Sequence, residues 1–253
     1  MSVMIILKTP QEIAVIERAS RVVALAIAFL REQVKPGVTT ADLDRLAEEF
    51  ITREGAIPAF KGYRGYPATL CTSVNEEVVH GIPSSRRRLE EGDIIGIDVG
   101  AIVEGFYGDA AVTLPVGRVS EEAARLLRVT EAALDAGLAQ VRAGNRLSDI
   151  SHAVQTVAED AGYSVVTDFV GHGIGRNLHE DPQVPNFGKP GEGPRLKEGL
   201  VLAIEPMVNI GGHEVEVLSD RWTVVTRDKS LSAHFEHTIA ITPDGPKVLT
   251  RAA

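Results

Sequence analysis

The chain contains one cysteine, Cys71. A single thiol forms no internal disulfide framework and cannot supply a Cys₄ or Cys₂His₂ zinc module. It fits a reducing cytoplasm. Positive charge is in deficit. Lys and Arg number 26 against 35 Asp and Glu, a formal net charge of −9. That balance argues against DNA and against broad binding to anionic lipid. Long apolar runs are missing as well. Val22 to Leu30 spans nine residues, against the roughly 18 needed to cross a bilayer. The run resembles a signal-peptide core, but it follows Glu12 and Glu17 and no small-residue cleavage pattern comes after it. It is read as a buried helix in a chain without a membrane segment. Low-complexity stretches are absent, and Lys189 to Pro194 reads as a Gly/Pro-rich surface loop.

What the chain does have is an internal repeat. At an offset of 107 residues, Val34-Lys35-Pro36-Gly37 matches Val141-Arg142-Ala143-Gly144, Asp42-Leu43 matches Asp149-Ile150, and Gly55 matches Gly162. Each half reads as helix, Gly turn, helix, Gly stop. The helices are expected near Pro10 to Gln33, Thr40 to Arg53, Glu121 to Val141 and Leu147 to Asp160. Thr39, Thr40 and Ser148 are the candidate N-caps. The offset continues into apolar, β-branched runs: Glu91 to Asp98 aligns with Glu198 to Glu205. A later pair, Asp109 to Leu114 and Glu236 to Ile241, reads as a second strand in each half. About twenty extra residues, Gly211 to Ser230, alternate apolar and polar and read as a hairpin. The 253 residues are therefore expected to form one α+β domain. Its pseudo-repeat halves cover about 10–115 and 120–250, and its helices cover one shared, antiparallel-rich sheet.

The repeat carries a chemical expectation. Each half ends one strand with an acid (Asp98, Glu205) and begins another with an acid (Asp109, Glu236). Any one of them alone reads as a surface or salt-bridged residue. Four at matched positions, each flanked by apolar strand residues, converge if the halves pack about an approximate two-fold. Buried together they cannot all stay ionised without compensation. A pair of divalent cations would supply it, as hydrolytic two-metal sites require. Among seven histidines, His172 lies between glycines that permit sharp turns and close approach. His179 and His80 also sit in distinctive contexts. His152 falls on a helix, and His213, His234 and His237 are read as structural or supporting. One histidine with four carboxylates suits Mn²⁺, Fe²⁺, Co²⁺ or Zn²⁺.

The ordered set His80-Gly81-Ile82-Pro83, Asp98, Asp109, Gly171-His172-Gly173-Ile174-Gly175, His179-Glu180, Glu205-Pro206-Met207 and Glu236-His237-Thr238 resembles the methionine aminopeptidases over nearly the whole chain. The type I, bacterial-length form is the closer match. Only 31 positions separate Glu205 from Glu236, which leaves no room for the helical insert of type II. The resemblance implies the pita-bread fold and a cytoplasmic monomer that removes the N-terminal methionine from nascent chains when the second residue is small.

The resemblance also implies roles. Asp98, Asp109, His172, Glu205 and Glu236 would hold two divalent ions (Co, Mn, Fe or Zn), with Asp109 and Glu236 bridging. A water held between them would be the nucleophile, with Glu205 relaying its proton. His179 would hydrogen-bond the substrate at the scissile amide. His80 would contact the nitrogen of the second residue. Tyr63, Tyr66, Cys71, Leu178 and Trp222 would wall the methionine slot, where a polarizable thioether favours rings and sulfur. Phe60, Arg64 and Leu178 depart from the commonest bacterial pattern. A monovalent cation is implied near Asn75 and Ser232. Arg86-Arg87-Arg88 reads as a solvated loop neutralised by Glu90, Glu91 and Asp93, with ribosomal RNA contact as the alternative. Two other readings stay open: a proline-directed peptidase of the same fold, and a binding module that has lost catalysis.

Overall fold

A computed structural model describes residues 4–251. The first helix, α1 (Pro10–Arg31), starts where Thr9 and Glu12 close a capping box and Pro10 presets the first turn. The run Val22–Leu30 lies inside it, with Val22, Val23, Ala24, Ala26 and Leu30 buried. No described helix is long and apolar enough to cross a membrane. Helix α2 (Thr40–Arg53) is capped by Thr39 and Asp42. Helices α3 (Glu121–Ala139) and α4 (Leu147–Asp160) repeat the pair. The bounds of α2 and α4 coincide under the 107-residue offset. The cap of α4 differs from expectation: Arg146 occupies it, and its backbone N–H donates to the Asp149 carboxylate at 2.7 Å. Ser148 instead donates from Oγ to the Glu192 carbonyl, because it is already inside the first turn.

The first half contributes strands β1 (Ile57–Pro58), β2 (Leu70–Val74), β3 (Glu77–Val79), β4 (Ile94–Val103) and β5 (Phe106–Pro115). The second contributes β6 (Ser164–Val165), β7 (Gly171–Gly173), β8 (Glu180–Val184), β9 (Val201–Ile204) and β10 (Met207–Asn209). It continues with β11 (Val215–Val217), β12 (Val224–Thr226), β13 (Ser232–His234), β14 (His237–Thr242) and β15 (Gly245–Val248). All pairings among the described residues are antiparallel. The larger ladders are β1-β4-β2 with β5 on the free side of β4, and β15-β14-β9-β7-β8. The Gly211–Ser230 insert is the β11–β12 hairpin, which adds β12 to β3.

The two large ladders meet along a seam. Glu236 N donates to the Ala111 carbonyl at 2.9 Å, and Thr238 Oγ1 donates to the Asp109 carbonyl at 2.7 Å. Thr113 Oγ1 donates to the His234 carbonyl at 2.8 Å. Threonine hydroxyls thus carry part of the pairing where the strands diverge. The helices pack on this surface, and the main apolar core (Ile95, Ile97, Leu126, Ile150, Leu202 and neighbours) lies between. Fixing so many side chains in one dense core makes the seam a rigid frame for whatever projects from it.

Candidate metal centre

In the β4–β5 hairpin Asp98 lies opposite Ala111, and Asp109 lies opposite Gly100. The two acids are therefore diagonal neighbours on one face of the pleat. Glu205 directly follows β9 and Glu236 directly precedes β14, as expected of acids at strand ends. Asp98 does not end its strand, however; it sits in the middle of β4. The hairpin is longer than the repeat suggests, because the ladder continues from Val99 to Val103 past both aspartates. The seam then places Glu236 beside Ala111, and so beside Asp109.

His172 lies on β7, opposite Ala203 of β9. Period-two alternation puts Glu205 on the face of Ala203, and hence near His172. The flanking glycines serve close approach rather than a turn. A Cβ at Gly171 would stand 2.5 Å from the Ala203 carbonyl oxygen, and one at Gly173 would run into the Asp181 carbonyl. The ring is oriented by its own backbone neighbour: Nδ1 is 2.9 Å from the Gly173 carbonyl. A carbonyl only accepts, so Nδ1 carries the hydrogen and Nε2 presents a lone pair. That lone pair faces Glu205 Oε1 at 3.4 Å and Asp109 Oδ2 at 3.9 Å.

A lone pair facing two carboxylates is repulsive unless a cation or a carboxyl proton lies between them. Burial drives the carboxyl groups the same way. It pushes Asp98 up to about 7 and Glu205 up to about 8, and holds Asp109 and Glu236 well above the carboxylate range. For Asp109 and Glu236 the neighbouring acids add to the effect. Burial lowers His172 to about 3, so it stays neutral. Asp98 Oδ1, Asp109 Oδ1, Glu236 Oε1 and His234 Nε2 are buried with no hydrogen-bond partner. Folded proteins rarely leave such atoms unpaired. Ligand atoms of Asp109, His172 and Glu236 lie within 4.8 Å of one another. Hard oxygens with one imidazole fit a divalent ion.

These residues floor a cavity of about 170 Å³ that Asp98 and Glu205 also line. It is also lined by the buried Phe60, Tyr66, Cys71 and Leu178, by the half-buried Tyr63, His80 and Trp222, and by the exposed Arg64 and His179, which mark its mouth. Cys71 is the cross-strand partner of Asp98, and burial, with Asp98 adding, pushes its thiol up, so it packs as a neutral group. The Tyr66 hydroxyl reaches the carbonyls of Leu70 and Gly81 at 2.9 and 3.0 Å. Its ring meets the edge of Trp222, with centroids 5.0 Å apart. His80 adopts φ 61° and stands edge-on to Phe169 and Trp222. Burial lowers it to about 4, so it too is neutral.

Tyr63, expected in the slot wall, lines the cavity and also touches His179. Its hydroxyl lies 2.8 Å from His179 Nδ1. When the hydroxyl donates, Nε2 of His179 carries the hydrogen and turns it toward the cavity. Tyr63→Phe is expected to lower kcat about tenfold with a smaller change in KM, the pattern of a lost positioning contact. Steady-state kinetics on a methionyl peptide, the substrate the resemblance implies, checks this; equal changes in both parameters would contradict it.

Sequence reasoning left one residue as only structural or supporting and missed a second feature. His234 Nε2 lies 3.6 Å from Glu205 Oε2. The spacing His234-x-Glu236 places both on one face of an extended segment, a usable signal. The second is a buried ion pair, Lys8 Nζ to Glu180 Oε2 at 2.6 Å, with side chains 3% and 4% exposed. It ties the segment before α1 to the turn that carries His179, and 172 positions of sequence separation hid it. Other singled-out residues lie apart from the cavity. His237 Nδ1 pairs with Thr250 Oγ1, and His152 lies on α4. Ser232 N donates to the Asn75 carbonyl, while the Asn75 side chain bonds Ile94 N and Asp93. Arg86, Arg87 and Arg88 are exposed. Among the described residues no ion pair joins them to Glu90, Glu91 or Asp93. Those acids are partly occupied elsewhere: Glu91 accepts from Arg118 N, and Asp93 from Glu90 N and Asn75.

Comparison with known proteins places this geometry in context. The model of metallopeptidase family M24 matches residues 14–243. The methionine aminopeptidase of Clostridium acetobutylicum is 56% identical over 98% of this chain and 99% of its own. Methionine aminopeptidase 1 of Bacillus subtilis is 56% identical over 98% of this chain and 100% of its own. The crystal structure of the Thermotoga maritima methionine aminopeptidase superposes with TM-score 0.97 at 48% identity, covering 98% of this chain and 100% of that one. The prolidase from Pyrococcus furiosus shares the fold, with TM-score 0.78 at 24% identity over 98% of this chain and 66% of that one.

Proposed function

Since the chain belongs to metallopeptidase family M24 and, within it, to the methionine aminopeptidases, we propose that its cavity hydrolyses the first peptide bond through a dinuclear metal centre. The protein has the pita-bread fold. Its activity is the metal-dependent removal of N-terminal methionine when the second residue is small. One observation carries the dinuclear reading: five metal-competent side chains share the floor of one small cavity, with three carboxylate oxygens there lacking any partner.

Asp98, Asp109, His172, Glu205 and Glu236 would hold two divalent ions. When bound, such a pair supplies Lewis acidity, polarising a carbonyl and making water more acidic. The remaining work falls to side chains. Glu205, set between the rings of His172 and His234, takes a proton and returns it to the leaving amine. His179, held by Tyr63, donates toward the oxygen where negative charge develops. Neutral His80 presents its ring to the nitrogen of the second residue. Tyr66, Cys71, Leu178 and Trp222 exclude water and receive the thioether. The narrow volume leaves space for only a small second side chain. A monovalent cation beside Asn75 and Ser232, a cytoplasmic location and nascent chains as substrate belong to the same proposal.

Protein purified without added metal is tested on Met-Ala-Ser, Met-Lys-Ser and Ala-Pro. Restoration by Mn²⁺ or Co²⁺ should reach a plateau at two ions per chain. Met-Ala-Ser should turn over at least about a hundredfold faster than Met-Lys-Ser, a gap of roughly 3 kcal/mol in the barrier. Full activity after exhaustive chelation, or equal turnover of the two methionyl peptides, contradicts the reading.

A further inference from the structure

Arg64 is the sole lysine or arginine lining the cavity, and it stands where the floor's acids do not reach it. No carboxylate of the described residues pairs with it. It is exposed, Tyr63 is half-buried, and Asp109, His172 and Glu236 are buried. The cavity therefore grades from an acidic, buried floor to a cationic, solvent-facing mouth.

The guanidinium is also oriented. Arg64 adopts φ 49° between Gly62 and Gly65, both with φ 88°. A tight turn closes across it, with Gly62 N donating to Tyr66 O and Tyr66 N donating to Tyr63 O. Its guanidinium carbon lies 5.3 Å from the Tyr63 ring centroid, within cation–π range. Tyr63 in turn lies 5.4 Å, ring to ring, from His179. Arg64 is thus two short links from the residue placed at the scissile amide. At roughly 3.3 Å per extended residue, that distance covers no more than about three residues of substrate.

From this placement we infer that Arg64 is a specificity-determining residue that selects substrates bearing a carboxylate at the third or fourth position. The inference rests on the proposed reading, because it assumes that the peptide enters with its amino end on the floor and leaves past the mouth. The carboxylate is an Asp or Glu side chain, or the free C terminus of a short peptide; the recognising chemistry is the same. Arg64 makes this contact in the bound substrate and in the transition state alike, so the gain belongs in KM.

The test uses the Mn²⁺-loaded enzyme and three amidated peptides: Met-Ala-Glu-Gly-NH₂, Met-Ala-Gln-Gly-NH₂ and Met-Ala-Lys-Gly-NH₂. Glutamine matches glutamate in size and removes only the charge. At low salt the Glu/Gln ratio of kcat/KM should be about three to five, the range of an exposed ion pair. It should fall toward one at high salt. Arg64→Ala should bring the ratio to one, Arg64→Lys should keep part of it, and Arg64→Glu should favour the lysine peptide. A ratio cancels any general loss of activity. Met-Ala-Ser as free acid and as amide separates the terminal carboxylate from the side chain. Binding is read independently from Trp222, the sole tryptophan, using the glutamate and glutamine peptides with the scissile amide reduced to a methylene-amine. Their affinities should show the same ratio and the same loss in Arg64→Ala. A wild-type ratio of one, or a ratio unchanged in Arg64→Ala, overturns the inference alone. No methionine released from the glutamine peptide overturns the underlying reading, and this inference with it.

Discussion

Asp109→Asn should cut the hydrolysis of Met-Ala-Ser by at least about a thousandfold and, in metal-free protein, raise the melting temperature. The two effects share one cause. Asp109 is 5% exposed and surrounded by other acids, and burial holds its carboxyl well above the ordinary range. On the proposed reading it would help hold cations worth several kcal/mol of transition-state stabilisation, and roughly 4 kcal/mol is a factor of about 10³ in rate. Without cations that group must either hold a proton that the unfolded chain releases at this pH or be buried as a charge facing like charges, and a neutral amide of equal size avoids both costs. Kinetics with saturating Mn²⁺ and calorimetric melting of chelator-treated protein at pH 8 check both signs. A variant that keeps its activity, or whose metal-free form melts below wild type, would remove Asp109 from the centre. Asp98→Asn is a useful second variant because its carboxyl is also raised by burial.

The second large effect is a pH dependence that metal reverses. Asp98 and Glu205 rise to about 7 and about 8, and burial raises Asp109 and Glu236 in the same direction. In the unfolded chain the same groups titrate near 4. Their folded values are raised, so the folded, metal-free protein retains protons that the unfolded chain has lost. The stabilisation is fully present below about pH 4 and is lost as pH rises through about 7 to 8. The melting temperature of chelated protein should therefore decline between pH 6 and 9. Divalent ions displace those protons, so Mn²⁺ should flatten the decline and release protons on binding near neutral pH. Titration calorimetry in buffers of different ionisation enthalpy counts the protons. A metal-free melting temperature that is flat across this range would show that the four acids are not buried together.

Much of the architecture was readable without coordinates. The bounds of α2 and α4, the hairpin at 211–230 and the strand pairs all follow from periodicity, turn residues and a repeat that the chain states twice. Errors were local. Ser148 looked like an N-cap because its residue type is common there, whereas the Asp149 carboxylate satisfies the Arg146 N–H that a capping hydroxyl would have left open. Asp98 looked like a strand end because the matching segment in the second half stops at Glu205, and nothing in the alignment shows that β4 continues to Val103. The ion pair of Lys8 with Glu180 and the contact of Tyr63 with His179 join residues far apart in sequence. No periodicity reports such contacts, since they depend on how the halves dock.

Sequence alone determined the element types, the duplicated plan and the identity of the chemistry-bearing side chains, because propensity, hydrophobic period and residue chemistry are local properties of the chain. Tertiary structure decided which of them meet. The seam between β5 and β14 sets Asp109 beside Glu236, the Gly173 carbonyl selects the His172 tautomer, and burial lifts the acids' proton affinities. Distance, tautomer and desolvation are relations between segments, and they exist only once the core has closed.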